Sequence, residues 1–215
     1  MAVYYQDDYV TLYHGDCLEQ TAWLGADVLI TDPPYGMNRS FIGTGHYDLV
    51  KVANDHDTNI RDNALKMWGN EKGFIVFGHW KCERPTNIKH LVIWDKDKMP
   101  MGDATSAFAT SHEEIYVGGN TANWLNKRQQ SVIRAKVQVG SDRPNHPTPK
   151  PIALMELLVS KTNAGVIADP FAGSGATLIA VRNLGRKAVG IELEEKYCEI
   201  IATRLSQQAF DFGDY

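Results

Sequence analysis

The run Val28-Leu29-Ile30 is stopped by Asp32-Pro33-Pro34-Tyr35, and this stop constrains the fold more than any other feature of the chain. A short, wholly apolar run fits a strand buried on both faces. Consecutive prolines cannot continue a sheet, because they lack the N–H donor and have a fixed φ. The strand must therefore end before them. A carboxylate, a stiff turn with free carbonyls and an aromatic ring are left together at its C-terminal end. Ligand crevices of open α/β sheets lie at that end of the strands. An acceptor pair beside a stacking ring suits a planar group bearing an exocyclic amine, such as a nucleobase.

The remaining periodicities extend this picture. Val10 to Tyr13, Phe74 to Phe77, Leu91 to Trp94, Glu114 to Val117, Ser131 to Ile133, Val166 to Asp169 and Lys187 to Ile191 read as further strands. Asn59 to Trp68 has helical spacing, and Pro151 suits the first turn of a helix with Leu154, Leu157 and Leu158 on one face. Gly173-Ser174-Gly175 opens a third helix, with Leu178, Ile179 and Val181 inward and Gly185 at its close. Leu193 to Gln207 carries Tyr197, Ile200, Ile201 and Leu205 on one stripe. Strands alternating with helices predict a doubly wound, mostly parallel sheet. The segments Gly36 to Asp57 and Pro100 to Thr110 read as loops.

With 215 residues, 43% of them hydrophobic, the chain can bury one sizeable core, so a single domain over 1–215 is expected. No run of about 18 apolar residues suggests a membrane span. Met1 to Val10 is polar and aromatic, unlike a signal peptide. Cys17, Cys82 and Cys198 are scattered outside any CxxC spacing, which fits reduced thiols in a cytoplasmic protein and no structural metal. The net charge of −4 is unevenly spread: Lys81 to Lys150 holds 11 Lys/Arg against 7 Asp/Glu. Within it, Lys127, Arg128, Arg134, Lys136, Arg143 and Lys150 face only Asp142 between Trp124 and Pro151. A phosphate backbone would favour that stretch, and the first five are the candidate DNA contacts.

A second constellation lies late in the chain. Asp169-Pro170-Phe171-Ala172-Gly173-Ser174-Gly175 sits between a strand and a helix, and Glu192 ends the next strand 19 residues after Gly173. Glycines admit a ligand to the backbone, the helix start offers free N–H groups, and an acid at about that offset takes ribose hydroxyls. No Gly-Lys-Ser/Thr follows, so this is no P-loop; Leu178 stands where a dinucleotide loop needs its third glycine. An aspartate at the head of the loop repels a pyrophosphate but pairs with an ammonium. S-adenosylmethionine is therefore favoured over NAD.

Asp-Pro-Pro-Tyr at 32–35, His-Pro-Thr-Pro-Lys-Pro at 146–151 and Asp-Pro-Phe-Ala-Gly-Ser-Gly at 169–175, in this order, resemble the motifs of the β-class amino DNA methyltransferases. Gly15-Asp16-Cys17 resembles the family's short acidic motif, and Leu91 to Lys96 its later strand. The resemblance implies a Rossmann-like, seven-stranded sheet with an antiparallel strand pair (the class I methyltransferase fold). It also implies S-adenosylmethionine as methyl donor and double-stranded DNA as partner. Asp32, Pro33, Pro34 and Tyr35 would form the catalytic turn, with Tyr35 stacked on a flipped-out base. Asp169, Pro170, Phe171, Ala172, Gly173, Ser174 and Gly175 would wrap the methionine part. Glu192 would hold the ribose, Asp16 and Cys17 would border the adenine, and Thr148 and Lys150 would anchor the methionine carboxylate. Asp at the motif head favours N6 of adenine, with N4 of cytosine the alternative. An RNA base methyltransferase and a non-catalytic nucleoside-binding module are the remaining rivals. Only Asn120 to Asn145 is left for target recognition, which fits a short recognition insertion or reading shared across a homodimer. A small enzyme of this kind suits a phage, a solitary methylase or a restriction-modification system.

Overall fold

The computed structural model describes residues 2–38, 40–42, 49–51, 53–97, 107–122, 124, 128–137 and 149–211. Its centre is the strand β3 (Val28–Thr31), every residue of which is buried. Val28 and Ile30 enter one apolar cluster and Leu29 enters another. Side chains alternate across a strand, so these two clusters lie on opposite faces of one sheet. That explains why the run is apolar throughout.

The sheet contains β1 (Val3–Gln6), β2 (Val10–His14), β3, β6 (Gly73–Gly78), β7 (Ile88–Asp95), β8 (His112–Gly119), β9 (Val132–Arg134), β10 (Ile167–Asp169) and β11 (Ala188–Glu192). Their spatial order is β1-β2-β11-β10-β3-β6-β8-β7-β9. Strands β2, β11, β10, β3 and β6 run parallel, β8 is antiparallel to both β6 and β7, and β1 is antiparallel to β2. The sheet thus has nine strands, where the resemblance implied seven. The extra pair are the short edges β1 and β9. Strand β1 escapes a hydrophobic pattern because Tyr4 and Tyr5 only lean on the core with their rings. The segment after Tyr35, read as loop, contains a hairpin of β4 (Ser40–Ile42) and β5 (Leu49–Lys51).

Helices α2 (Ile152–Ser160), α3 (Ala176–Asn183) and α4 (Glu195–Asp211) pack on the Val28/Ile30 face through Leu154, Leu158, Ile179, Val181, Ile201 and Leu205. Leu178, Ile179 and Val181 are wholly buried, each worth about 1.5–3 kcal/mol in area removed from water. The opposite face is covered by α1 (Asn59–Trp68) and a short 3-10 turn, Ala22–Gly25. There Trp23 stacks on Trp68, with ring centroids 5.8 Å apart and planes 8° from parallel. The Trp23 indole N–H also donates to the Cys17 carbonyl at 2.9 Å. The 3-10 turn thereby fixes the chain that leaves β2. Trp23→Ala should lower the unfolding free energy by about 3–5 kcal/mol in a denaturant titration, as expected for an aromatic truncated in a packed core. Trp23→Phe should keep most of it, because the stack survives and only the hydrogen bond is lost.

Candidate active site

Parallel pairing of β3 with β10, in register Ile167↔Val28 and Ala168↔Leu29, carries both motifs to the same end of the sheet. Thr31, the last residue of β3, donates its hydroxyl to Asp169 Oδ1 at 2.6 Å. The Asp32–Tyr35 turn and the glycine loop therefore line one cleft, together with Gly15, Asp16, Cys17 and Glu192.

At the turn, both Asp32 oxygens are engaged. Oδ1 accepts from the Tyr35 hydroxyl at 2.6 Å, and Oδ2 meets the Lys150 ammonium at 2.5 Å. A carboxylate has about four lone-pair sites, so two remain. Lys150 is only 5% exposed, and its Nζ also lies 3.2 Å from Glu113 Oε2. The rings of Phe77, Tyr35 and Trp94 surround it at 5.1, 5.6 and 5.9 Å. Burial pushes the Asp32 carboxyl above its usual range, and the Glu113 charge adds to this; Lys150 and Tyr35 oppose it. Burial also disfavours the Glu113 charge, but Lys150 and Lys96 outweigh it and hold that carboxyl down to about 2. The two carboxylates share one ammonium yet move apart, because Lys96 sits on Glu113 alone, 2.6 Å from Oε1. The Lys150 ammonium is raised: burial weakens it, and Asp32 and Glu113 more than restore it.

The glycine loop is a backbone cradle. Gly173 and Gly175 have φ of 54° and 81°, which side chains on L-residues disfavour. A Cβ on Gly175 would come within 2.9 Å of Ile201 Cγ1, so α4 packs directly on the turn that starts α3. Glu192 Oε2 accepts from the Gly173 N–H at 2.7 Å, and Oε1 from the Glu194 N–H at 2.8 Å. Glu192 is 7% exposed and burial lifts its carboxyl to about 7. Asp169, also accepting from the Phe171 N–H at 3.2 Å, is lifted by burial to about 6. Among the described residues both acids have neutral donors and no cationic partner. Asp16 accepts from the Leu18 N–H at 2.8 Å, shaping the adjoining wall. Burial raises the Cys17 thiol to about 12, with Asp16 adding to it, so it is a neutral lining group and no nucleophile.

Several groups in or beside the cleft carried no sequence signal. Asp55 accepts from the N–H groups of Gly36 and Met37 at 2.8 and 3.2 Å, binding the far part of the segment after Tyr35 back to its start. Nothing marks it among the neighbouring Asp and Asn residues. Thr31 reads as an ordinary strand end, and Glu113 as the polar approach to a strand beginning at Glu114. Tyr197 is buried, as its place on the inward stripe of α4 predicts, and also lines the cleft. His79 is buried with its ring 6.4 Å from that of Tyr35, whereas Trp80 beside it is 50% exposed.

The expected role of Lys150 at a methionine carboxylate meets a different geometry, since its ammonium lies between Asp32 and Glu113. Thr148, Lys127 and Arg143 lie outside the described residues. Arg128 and Lys136 are exposed. Arg134 is exposed too, but pairs with Asp95 at 3.1 Å and approaches Asp97 at 3.6 Å. Part of the stretch expected to be a recognition insertion, Val132–Arg134, forms the sheet edge β9. Among the described residues no helix is long and apolar enough to cross a membrane.

Comparison with known proteins agrees with this architecture. Residues 26–203 match the N6_N4_Mtase family, described as DNA methylase. The type II methyltransferase M2.DpnII of Streptococcus pneumoniae is 42% identical over 250 residues, covering 95% of this chain and 92% of its own. M.ScaI of Streptomyces caespitosus is 41% identical over 262 residues, covering 96% and 84%. Among solved structures, the M1.HpyAVI–SAM complex superposes with a TM-score of 0.66 at 22% identity, over 91% of this chain and 98% of that one. The cytosine-N4-specific PvuII DNA methyltransferase gives 0.68 at 14% identity, over 94% and 88%. A buried acceptor turn, a glycine cradle and this sheet order, together with the extent of the family match, make the chain a member of the N6/N4 DNA methylase family.

Proposed function

We propose that this protein transfers a methyl group from S-adenosylmethionine to the exocyclic amine of a base flipped out of double-stranded DNA, with N6 of adenine the preferred target. The observation that carries the reading is the single cleft lined by both the Asp32–Tyr35 turn and the glycine loop. The donor site fits its ligand chemically. Asp169 and Glu192 are buried acids without a cationic partner among the described residues, suited to an ammonium and to ribose hydroxyls. The left-handed φ of Gly173 and Gly175 shapes the loop whose residues 169–174 line the cleft. Asp16 and Cys17 border the neighbouring wall. The relatives' preference for DNA is in their names; Asp rather than Ser at the head of the turn favours adenine, and the DNA adenine methyltransferase YhdJ of Escherichia coli is 24% identical over 91% of the chain.

Bound S-adenosylmethionine supplies a methyl group made electrophilic by its sulfonium. An exocyclic amine conjugated with a base ring is a poor nucleophile. The two remaining lone-pair sites of Asp32 and the Pro33 carbonyl would take its N–H groups, favouring a pyramidal nitrogen whose lone pair faces the methyl. The new N–C bond forms as the methyl–sulfur bond breaks, and the bonding pair stays with sulfur. Nitrogen then sheds one proton to Asp32 and onward to water. Positioning and fixed charge supply most of the acceleration. Tyr35, whose hydroxyl is held by Asp32, presents a ring of fixed orientation to the base. Two of the three Lys150 donors are directed at Asp32 and Glu113, so we assign it to the turn.

Asp32→Ala should cut transfer of labelled methyl to duplex DNA by about 10²–10⁴-fold, a typical share for a positioned acid–base group, while calorimetry still reports donor binding. Nucleoside mass spectrometry of the product should give N6-methyladenine; N4-methylcytosine would transfer the same mechanism to the other base, and no product would refute it. Glu192 supports a further test. Its folded-state value of about 7 lies above the ordinary 4.5, so the folded protein binds this proton more tightly than the unfolded chain. That contribution to stability is complete below about pH 4.5 and disappears as pH rises through about 7. Asp169 has the same sign. The melting temperature of donor-free Glu192→Gln, relative to the parent, should therefore climb steadily between about pH 4.5 and 7. The same variant should bind the donor at least about tenfold more weakly at pH 8, the scale of one charge-assisted hydrogen bond; unchanged affinity would remove Glu192 from the ribose.

A further inference from the structure

Asp32 and Glu113 share two donors. The Tyr35 hydroxyl lies 2.6 Å from Asp32 Oδ1 and 3.1 Å from Glu113 Oε2. The Lys150 ammonium lies 2.5 Å from Asp32 Oδ2 and 3.2 Å from Glu113 Oε2. The four side chains close a ring, and the outer Glu113 oxygen is held by Lys96 at 2.6 Å. With Lys96 these five side chains come from four separate places: the turn after β3, the residue after β7, the start of β8 and the segment entering α2. Glu113 touches neither the glycine loop nor the outer rim in any hydrogen bond described, and its partners are the groups that hold Asp32.

We propose that Glu113 is a positioning residue for the methyl transfer, acting on Asp32 by orienting the Tyr35 hydroxyl and the Lys150 ammonium so that the remaining Asp32 lone pairs point into the cleft. The inference rests on the function proposed above. Lys150 carries three donors; with two directed at the carboxylates, its side chain cannot rotate without breaking one. Tyr35 has one proton, so Glu113 and Asp32 compete for it, and Asp32, the nearer, takes it. Two carboxylates against two ammoniums also leave the buried group neutral, which lowers its desolvation cost. Removing the Glu113 charge alone would leave Lys150 facing Asp32 undiluted and make Asp32 a weaker proton acceptor. The charged and titratable groups facing Asp32 are Tyr35 on its own turn, Lys150 before α2 and Glu113 on β8; Asp169 acts from the end of β10, and Lys96, after β7, reaches it through Glu113.

The test compares full-length parent, Glu113→Gln, Glu113→Asp and Lys96→Met. The Asp32 carboxyl is followed by ¹³C NMR across pH, alongside kcat on duplex DNA, the DNA KM and calorimetric donor binding. Glu113→Gln should move the Asp32 midpoint and the acid limb of kcat to lower pH. It should lower kcat by about 10–100-fold, within the usual range for acid–base positioning, with donor affinity and DNA KM changed less than about threefold. Glu113→Asp should fall between the two. Lys96→Met, which unshields Glu113, should shift the midpoint the opposite way, and this variant alone decides the matter if Glu113→Gln does not fold. An Asp32 titration that moves in neither variant overturns the proposal. So does a loss confined to donor affinity or DNA KM. A parent protein that methylates no DNA overturns the proposed function instead, while the Asp32 titration still decides the role of Glu113.

Discussion

One hydrogen bond, from Thr31 to Asp169, joins chain segments 138 residues apart at the point where both become functional. It is possible because β3 and β10 are parallel neighbours and therefore end at the same edge of the sheet. An antiparallel pairing would have placed the acceptor turn and the glycine loop at opposite ends. Asp169 is a buried acid, and its contacts with Thr31, Thr177 and the Phe171 N–H restrain a carboxyl that burial would otherwise lift further. Disturbing β3 thus disturbs the cradle, and the two halves of the cleft are mechanically one.

Charge in the cleft is handled in two contrasting ways. Around Asp32, acids and bases are matched within the protein: Lys150 and Lys96 accompany Asp32 and Glu113, and Glu113 stays ionised at the low value of about 2. Around the glycine loop the acids themselves have no cationic partner among the described residues, and Arg204 donates instead to the Ser174 carbonyl. Glu192 and Asp169 are satisfied only by hydroxyl and backbone donors and sit near about 7 and 6. Unmatched buried charge is costly, so a site left in this condition gains when a partly cationic, hydroxyl-rich ligand arrives. The matched half supplies fixed geometry and the unmatched half supplies affinity.

The sequence made the inner strands legible because being buried on both faces leaves short apolar runs, as in Val28–Ile30 and Phe74–Phe77. It made the glycine loop and Glu192 legible because local backbone chemistry has a fixed spacing. The edge strand β1 was not legible, since tyrosines that cover a core with one face show no period. The hairpin β4–β5 was hidden among Gly, Asn and Asp residues typical of turns. Glu113, Asp55 and Thr31 were hidden for a deeper reason. Their partners are Lys150, Gly36 and Asp169, and only tertiary pairing brings Glu113 to Lys150 or Thr31 to Asp169. The place of Lys150 between Asp32 and Glu113 was hidden for the same cause: a motif gives its neighbours in sequence, not the acid across the sheet.

The walls of the cleft carry seven carboxylates, Asp16, Asp32, Asp55, Glu113, Asp169, Glu192 and Glu194, against one ammonium, Lys150, among the described residues. Such a field attracts a sulfonium donor and repels phosphate. A duplex could not be drawn into it by its backbone; in the proposed reaction a neutral base, rotated away from the stack while its phosphates stay outside, meets no such barrier. In that reaction the backbone is held elsewhere, and outside Lys96 and Lys150 the Lys81–Lys150 stretch of the sequence still carries nine basic residues for that task. In the proposed reaction this separation acts as a selector. Phosphate attraction and base entry are assigned to opposite signs of charge, so tight backbone binding cannot by itself fill the site, and chemistry waits on the one group that leaves its charge outside.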